Sequence, residues 1–179
     1  MSKSARAKTP HRRSRSSAEK LASKIVGVGA SAGGLEAFTE LVKNLPTKSG
    51  LGFVLVQHLD PTHRSLLSEL LGRSASIPVQ EIENNTPVLA DRIHVIPPNC
   101  NLSIELGVLK LTPGEKKAGP ARSIDHFLRS LAADQGAQAI GVILSGAGSD
   151  GAKGLKAIKG AGGVTVAPEG ASSENGSMP

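Results

Sequence analysis

Short apolar runs rich in β-branched residues, separated by segments of helical periodicity, most tightly restrict the fold of this chain. GVTVA at 163–167 reads as a fourth, parallel-type strand, and the runs KIVGVG at 24–29, GFVLVQ at 52–57 and AIGVIL at 139–144 have no polar alternation. A strand with that pattern is buried on both faces. Between the runs, Leu35, Ala37, Phe38, Leu41, Val42 and Leu45 recur at helical spacing over 33–45, and Pro46 ends the pattern. Leu66, Leu67, Leu70 and Leu71 repeat it over 62–73, and 124–133 and 151–159 read as further helices. Short strands are expected at 77–83 and 92–96. Segments 101–105 and 108–111 alternate apolar with polar around Leu106-Gly107, which predicts an antiparallel hairpin. The fold class that follows is α/β: a doubly wound, mostly parallel sheet with helices on both faces. The hairpin is expected as an insertion or an antiparallel edge.

The 179-residue length fits one domain, and 39% hydrophobic residues can fill a core, which excludes a fully disordered chain. No apolar run approaches the roughly 20 residues of a membrane span, so no membrane insertion is expected. Phe38, Phe53 and Phe127 are the only aromatic residues besides histidine. That argues against an aromatic-rich β-barrel and against stacking platforms for single-stranded nucleic acid. Cys100 is the single cysteine, so no internal disulfide can form. The formal charge of +6 is uneven: the first 24 positions hold eight of the 21 basic residues and one of the 15 acids. The rest is almost neutral, and no nucleic-acid-binding face is expected. Residues 1–23, Ser- and Arg-rich and poor in apolar groups, read as a disordered basic tail. A transit peptide, a nucleic-acid arm and an anionic-lipid contact are alternatives to a plain solvated extension. It lacks the apolar stretch of a secretory signal, and the expected setting is cytoplasmic. Residues 24–179 then form the folded domain.

Ligands of such sheets sit beyond the carboxyl ends of the strands, near the point where strand order reverses. Gly29-Ala30-Ser31-Ala32-Gly33-Gly34 follows the first run, Gln57-His58-Leu59-Asp60-Pro61 the second, and Ser145-Gly146-Ala147-Gly148-Ser149-Asp150-Gly151 the third. One serine, one histidine and one aspartate therefore each follow a buried strand. Gly29-x-Ser31-x-Gly33 fits a nucleophile elbow, a crowded strand-to-helix turn that needs small neighbours. A serine there needs an imidazole to take its proton and a carboxylate to orient that imidazole. His58 and Asp150 supply those groups. Taken singly, Ser31 is an ordinary helix cap, His58 a loop histidine and Asp150 an Asp-Gly turn or helix cap. Their joint placement favours hydrolysis.

Gly27-x-Gly29-x-x-Ala32 also fits a dinucleotide fingerprint. That motif expects an acid at the end of the second strand, whereas this strand ends in Gln57-His58 and Asp60 comes three residues after Gln57. His63, His94 and His126 with Asp60 and Asp125 could be drawn as metal ligands, but no two share a recognised ligand spacing, and no metal site is expected. Cys100, following Pro97-Pro98-Asn99, lacks an elbow and reads as a small hydrophobe rather than a nucleophile.

Five blocks in order carry a family resemblance: IVGVGASAGG at 25–34, VLVQHLDP at 54–61, RIHVIPPN at 92–99, SIDHFLRSLA at 123–132 and AIGVILSGAGSDG at 139–151. From about Lys24 onward the chain resembles the catalytic domain of chemotaxis protein-glutamate methylesterases, the CheB type. The wording is most similar to members that are fused to a receptor methyltransferase and lack a receiver domain. The resemblance implies a doubly wound sheet with a hairpin, a nucleophile at Ser31, a histidine at His58 and an aspartate at Asp150. It implies γ-glutamyl methyl esters on chemoreceptor helices as substrates, deamidation of certain receptor glutamines, and no cofactor. Backbone N–H groups around Ala32 and Ala147 are candidate oxyanion donors, the second falling where the family's N–H helps hold the oxyanion. Thr is frequent in the family at the first position and Met at the second. The family continues past a Gly-Met-Pro element into a last strand and helix, whereas this sequence reads Gly176-Ser177-Met178-Pro179 and stops, as a truncated member would. The alternative function is a catalytically silent domain that docks receptors or a methyltransferase.

Overall fold

The computed structural model describes residues 20–30, 34–57, 67–114, 122–145 and 150–167. In chain order the elements are β1 (Lys24–Ala30), α1 (Leu35–Lys43), β2 (Leu51–Gln57), α2 (Leu67–Gly72), β3 (Val79–Glu81), β4 (Thr86–Pro87), β5 (Arg92–Val95), β6 (Cys100–Glu105), β7 (Val108–Pro113), α3 (Ser123–Gln135), β8 (Ala139–Ser145), α4 (Ala152–Gly160) and β9 (Val164–Val166). The six strands β3-β5-β2-β1-β8-β9 lie in that spatial order, and every neighbouring pair is parallel. The chain thus winds to one side of β1 through β2, β5 and β3, then crosses to β8 on the other side. That reversal puts the switch point between β1 and β8.

Two apolar layers sandwich the sheet because successive strand residues face opposite sides. Val26, Val28, Phe53, Leu55, Ile93 and Val95 meet Phe38 and Val42 of α1 and Leu67 and Leu71 of α2 on one face. Ile25, Val54 and Val56 meet Phe127, Leu128 and Leu131 of α3 on the other. On that second face β1 has Gly27 and Gly29 beside Val54 and Val56 of β2. A Cβ at Gly27 would lie 2.7 Å from a methyl of Leu128, and one at Gly29 only 2.5 Å from Cγ2 of Ile124. Helix α3 therefore lies directly on the β1 backbone, closer than any larger residue allows.

The hairpin is not an edge of the main sheet. Strands β6 and β7 form a separate antiparallel sheet with β4, in the order β4-β7-β6. At its tip Leu106 and Gly107 both adopt positive φ, 50° and 73°, the backbone that a two-residue hairpin turn requires. Asp134 of α3 holds this tip by accepting the backbone N–H groups of both residues.

The folded body also starts earlier than composition suggests. Residues 20–23, assigned to the tail above, are tied down by backbone bonds from Ala90 N–H to Lys20, from Ala22 N–H to Val88 and from Ser23 N–H to Gly50. The remainder of the expected tail, residues 1–19, lies outside the described residues. None of the described helices is long and apolar enough to cross a membrane.

Candidate active site

The three central strands end side by side. Ala30, the last residue of β1, is in register with Gln57, the last of β2, and on its other side with Ser145, the last of β8. Neighbouring strands lie about 4.8 Å apart, so the three ends fall within roughly 10 Å. Ser31 follows Ala30 in the chain and His58 follows Gln57. Between Gly29 and Ala30 the pairing with β8 slips by one residue, from Ile143 to Ser145. Such an irregularity bends a strand end and is frequent beside active sites.

Ser31, Ala32, His58 and Ala147 lie outside the described residues; their strand anchors are what the structure describes. Asp150 is described, just ahead of α4. Its carboxylate reaches across to α3. Oδ2 accepts the N–H of Ile124 at 3.0 Å and Oδ1 accepts that of Asp125 at 2.8 Å. These are the second and third amides of α3, the donors a capping side chain normally takes. Arg122, at the N-cap position of α3, supplies no side-chain cap. The acid is thereby tied to the start of α3, whose free amides favour a negative charge.

Asp125 returns the arrangement, a role that sequence reasoning did not assign to it. Its Oδ1 accepts the N–H of Gly151 at 3.0 Å and that of Gly154 at 2.8 Å, capping α4 from α3. Asp125 is 4% exposed. Gly151 has φ of 99°, and a Cβ there would lie 2.5 Å from Ile143 and 3.2 Å from Ile124, so only glycine fits directly after Asp150. An acid in the first helical turn of 124–133 was a visible signal. Its partners 26 and 29 residues away were not.

The remaining sequence candidates take structural places. His94 is fully buried in β5, its Nδ1 3.1 Å from the Phe53 carbonyl and its Nε2 3.4 Å from the Leu89 N–H. The imidazole therefore donates from Nδ1 and accepts at Nε2. Burial, reinforced by the charge of Arg92, pushes it down to about 4, so it is neutral near pH 7. His126 lies exposed on α3, while Asp60 and His63 lie outside the described residues. Cys100 opens β6 half-buried. Burial first and the charge of Glu81 second push its thiol up, against a nucleophilic role. Gly27 and Gly29, the leading glycines of the dinucleotide fingerprint, sit inside β1 beneath α3. The close packing of α3 accounts for both glycines.

Comparison with known proteins identifies the family. The family model described as CheB methylesterase matches residues 26–179. The "Protein-glutamate methylesterase/protein-glutamine glutaminase 2" of Syntrophomonas wolfei is 34% identical over 152 residues, covering 83% of this chain and 44% of that protein. A protein-glutamate methylesterase/protein-glutamine glutaminase of Sulfurimonas denitrificans is 34% identical over 160 residues, covering 87% and 45%. The chain thus spans less than half the length of these two relatives. The crystal structure of the Thermotoga maritima CheB methylesterase catalytic domain superposes with a TM-score of 0.71 at 28% identity, covering 81% of this chain and 79% of that one. By the family match over residues 26–179 and the shared α/β fold, this chain belongs to the CheB methylesterase family.

Proposed function

We propose that this domain hydrolyses glutamate γ-methyl esters on chemoreceptor helices through Ser31, His58 and Asp150. The observation that carries the reading is the register of Ala30 between Gln57 and Ser145, which brings the chain positions before Ser31 and His58 next to each other. The fixed carboxylate of Asp150 at the start of α3 supports the third role.

Ser31 Oγ attacks the ester carbonyl while His58 takes its proton. The tetrahedral intermediate collapses, the C–OCH3 bond breaks, and His58 delivers the proton to the departing methoxide, releasing methanol. Water then attacks the acyl-serine, losing a proton to His58, and Ser31 recovers that proton as the glutamate leaves. Asp150 orients the imidazole and stabilises its cationic form. Backbone N–H groups at Ala32 and Ala147 hold the oxyanion, each such donor contributing about 3–4 kcal/mol. A receptor glutamine follows the same steps with ammonia as the leaving group. Each turnover leaves one more negative charge on the receptor helix.

Incubating the purified chain with a methyl-esterified receptor fragment should release methanol. The rate should rise with pH as the His58 imidazole loses its proton. Absence of methanol from a folded chain that still binds the fragment would favour the silent docking domain.

A further inference from the structure

We infer that Asp125 is a positioning residue for the reaction, setting the Asp150 carboxylate through a closed ring of hydrogen bonds across the starts of α3 and α4. The inference rests on the proposed role of Asp150. The ring has four bonds. Asp150 accepts the N–H groups of Ile124 and Asp125. Asp125 in turn accepts the N–H of Gly151, the residue joined to Asp150, and the N–H of Gly154 one turn on. Neither aspartate can shift without disturbing the helix that holds the other.

Two features set this apart from routine capping. A serine or asparagine could cap α4 with one oxygen, and Asp125 indeed uses only Oδ1 there. Its Oδ2 is buried and has no hydrogen-bond partner among the described residues. A buried, unpaired carboxylate oxygen is unfavourable and points to a demand other than capping. The second feature is the placement of charge. Each anion sits at the N-terminus of the other's helix, where the aligned peptide dipoles favour it. A carboxylate at Asp125 thus anchors the first turn of α4 against the left-handed Gly151 (φ 99°) and keeps the peptide after Asp150 in one orientation.

The test compares Asp125→Ala and Asp125→Asn with Asp150→Asn in steady-state hydrolysis of a methyl-esterified receptor fragment across pH. Asp134→Ala is the control, because Asp134 caps the hairpin tip at the opposite end of α3. Folding is checked for each variant by circular dichroism. Asp125→Ala should lower kcat at least tenfold with KM within twofold. Its acid limb of kcat/KM should move to lower pH, in the direction of Asp150→Asn, because a displaced carboxylate stabilises the imidazolium less. Asp125→Asn, which keeps an Oδ1 acceptor, should fall between. Asp134→Ala should lose stability with the limb unmoved. The inference is overturned if folded Asp125 variants keep the wild-type limb and kcat while Asp150→Asn does not. It is overturned equally if their activity merely tracks the folded fraction, or if neither variant folds. If Asp150→Asn itself retains kcat and limb, the reading of Asp150 fails first, and that result is distinct from the others.

Discussion

Asp150 and Asp125 exchange helix caps: the carboxylate of each accepts amides from the start of the helix that the other belongs to or precedes, at 2.8–3.0 Å. The exchange couples two elements that enter the fold from opposite sides of β8 in sequence. It gives the candidate acid two backbone donors at the start of α3.

That coupling is measurable in stability. Replacing either aspartate by alanine should cost about 1–2 kcal/mol, the usual value of a lost cap. The double variant should cost less than the sum by roughly 0.5 kcal/mol or more, because the second cap has already been loosened. Urea unfolding of the four species gives the cycle. Strict additivity would mean the two caps are independent.

Gly29 connects packing to the site. A methyl at this position would lie 2.5 Å from Ile124 Cγ2 and 2.8 Å from Ile143 Cδ1, and the amide of Ile124 is a donor to Asp150. Gly29→Ala should destabilise the chain by about 1–3 kcal/mol through overpacking. It should also lower ester hydrolysis beyond the loss of folded protein. Unfolding midpoints and kcat of the folded fraction separate the two effects.

His94 makes the fold sensitive to mild acid. Its folded-state value is pushed down to about 4 from 6.5 because burial penalises the charged ring. The unfolded chain therefore takes up a proton below about pH 6.5, while the folded chain does so only near 4. Stability is full above 6.5 and declines as pH falls to about 4, by on the order of 3 kcal/mol. Asp91, whose carboxylate is lowered mainly by the Gly50 N–H, acts in the same direction but below its ordinary 3.8. His94→Gln should be less stable at pH 7 and nearly flat between pH 6.5 and 4.5. An unchanged slope in that variant would assign the acid sensitivity elsewhere.

Much of this architecture is legible in the sequence, and the exceptions share a cause. Strands β1, β2 and β8 are legible because strands buried on both faces leave unbroken apolar runs. Thr86-Pro87 is not, since a two-residue strand has no period to detect. The hairpin is visible in its alternation, but that pattern is the same for a sheet edge and for a separate small sheet, so its attachment is not. Residues 20–23 look like tail because they continue a Ser- and Arg-rich segment, yet backbone bonds to Gly50, Val88 and Ala90, with Ala22 packed against the core, hold them. Asp125 reads as a first-turn acid of α3, and its capping of α4 depends on a contact the chain makes only after folding. For the site, the glycine spacing around Ser31 and the ends of the apolar runs suffice to nominate residues, while the register of Ala30 with Gln57 and Ser145 brings together only the strand ends that precede them.

The most direct test asks whether Ser31, His58 and Asp150 act as one unit. Methanol release from a methyl-esterified receptor fragment is measured for the wild type, Ser31→Ala, and the triple variant with His58→Ala and Asp150→Ala. Residues of a working triad are strongly non-additive, so Ser31→Ala should already lower kcat by roughly 10⁴-fold or more, and the triple variant should fall less than about tenfold further. Ser31→Ala turning over within about tenfold of the wild type, or losses that multiply through the three substitutions, would contradict the account.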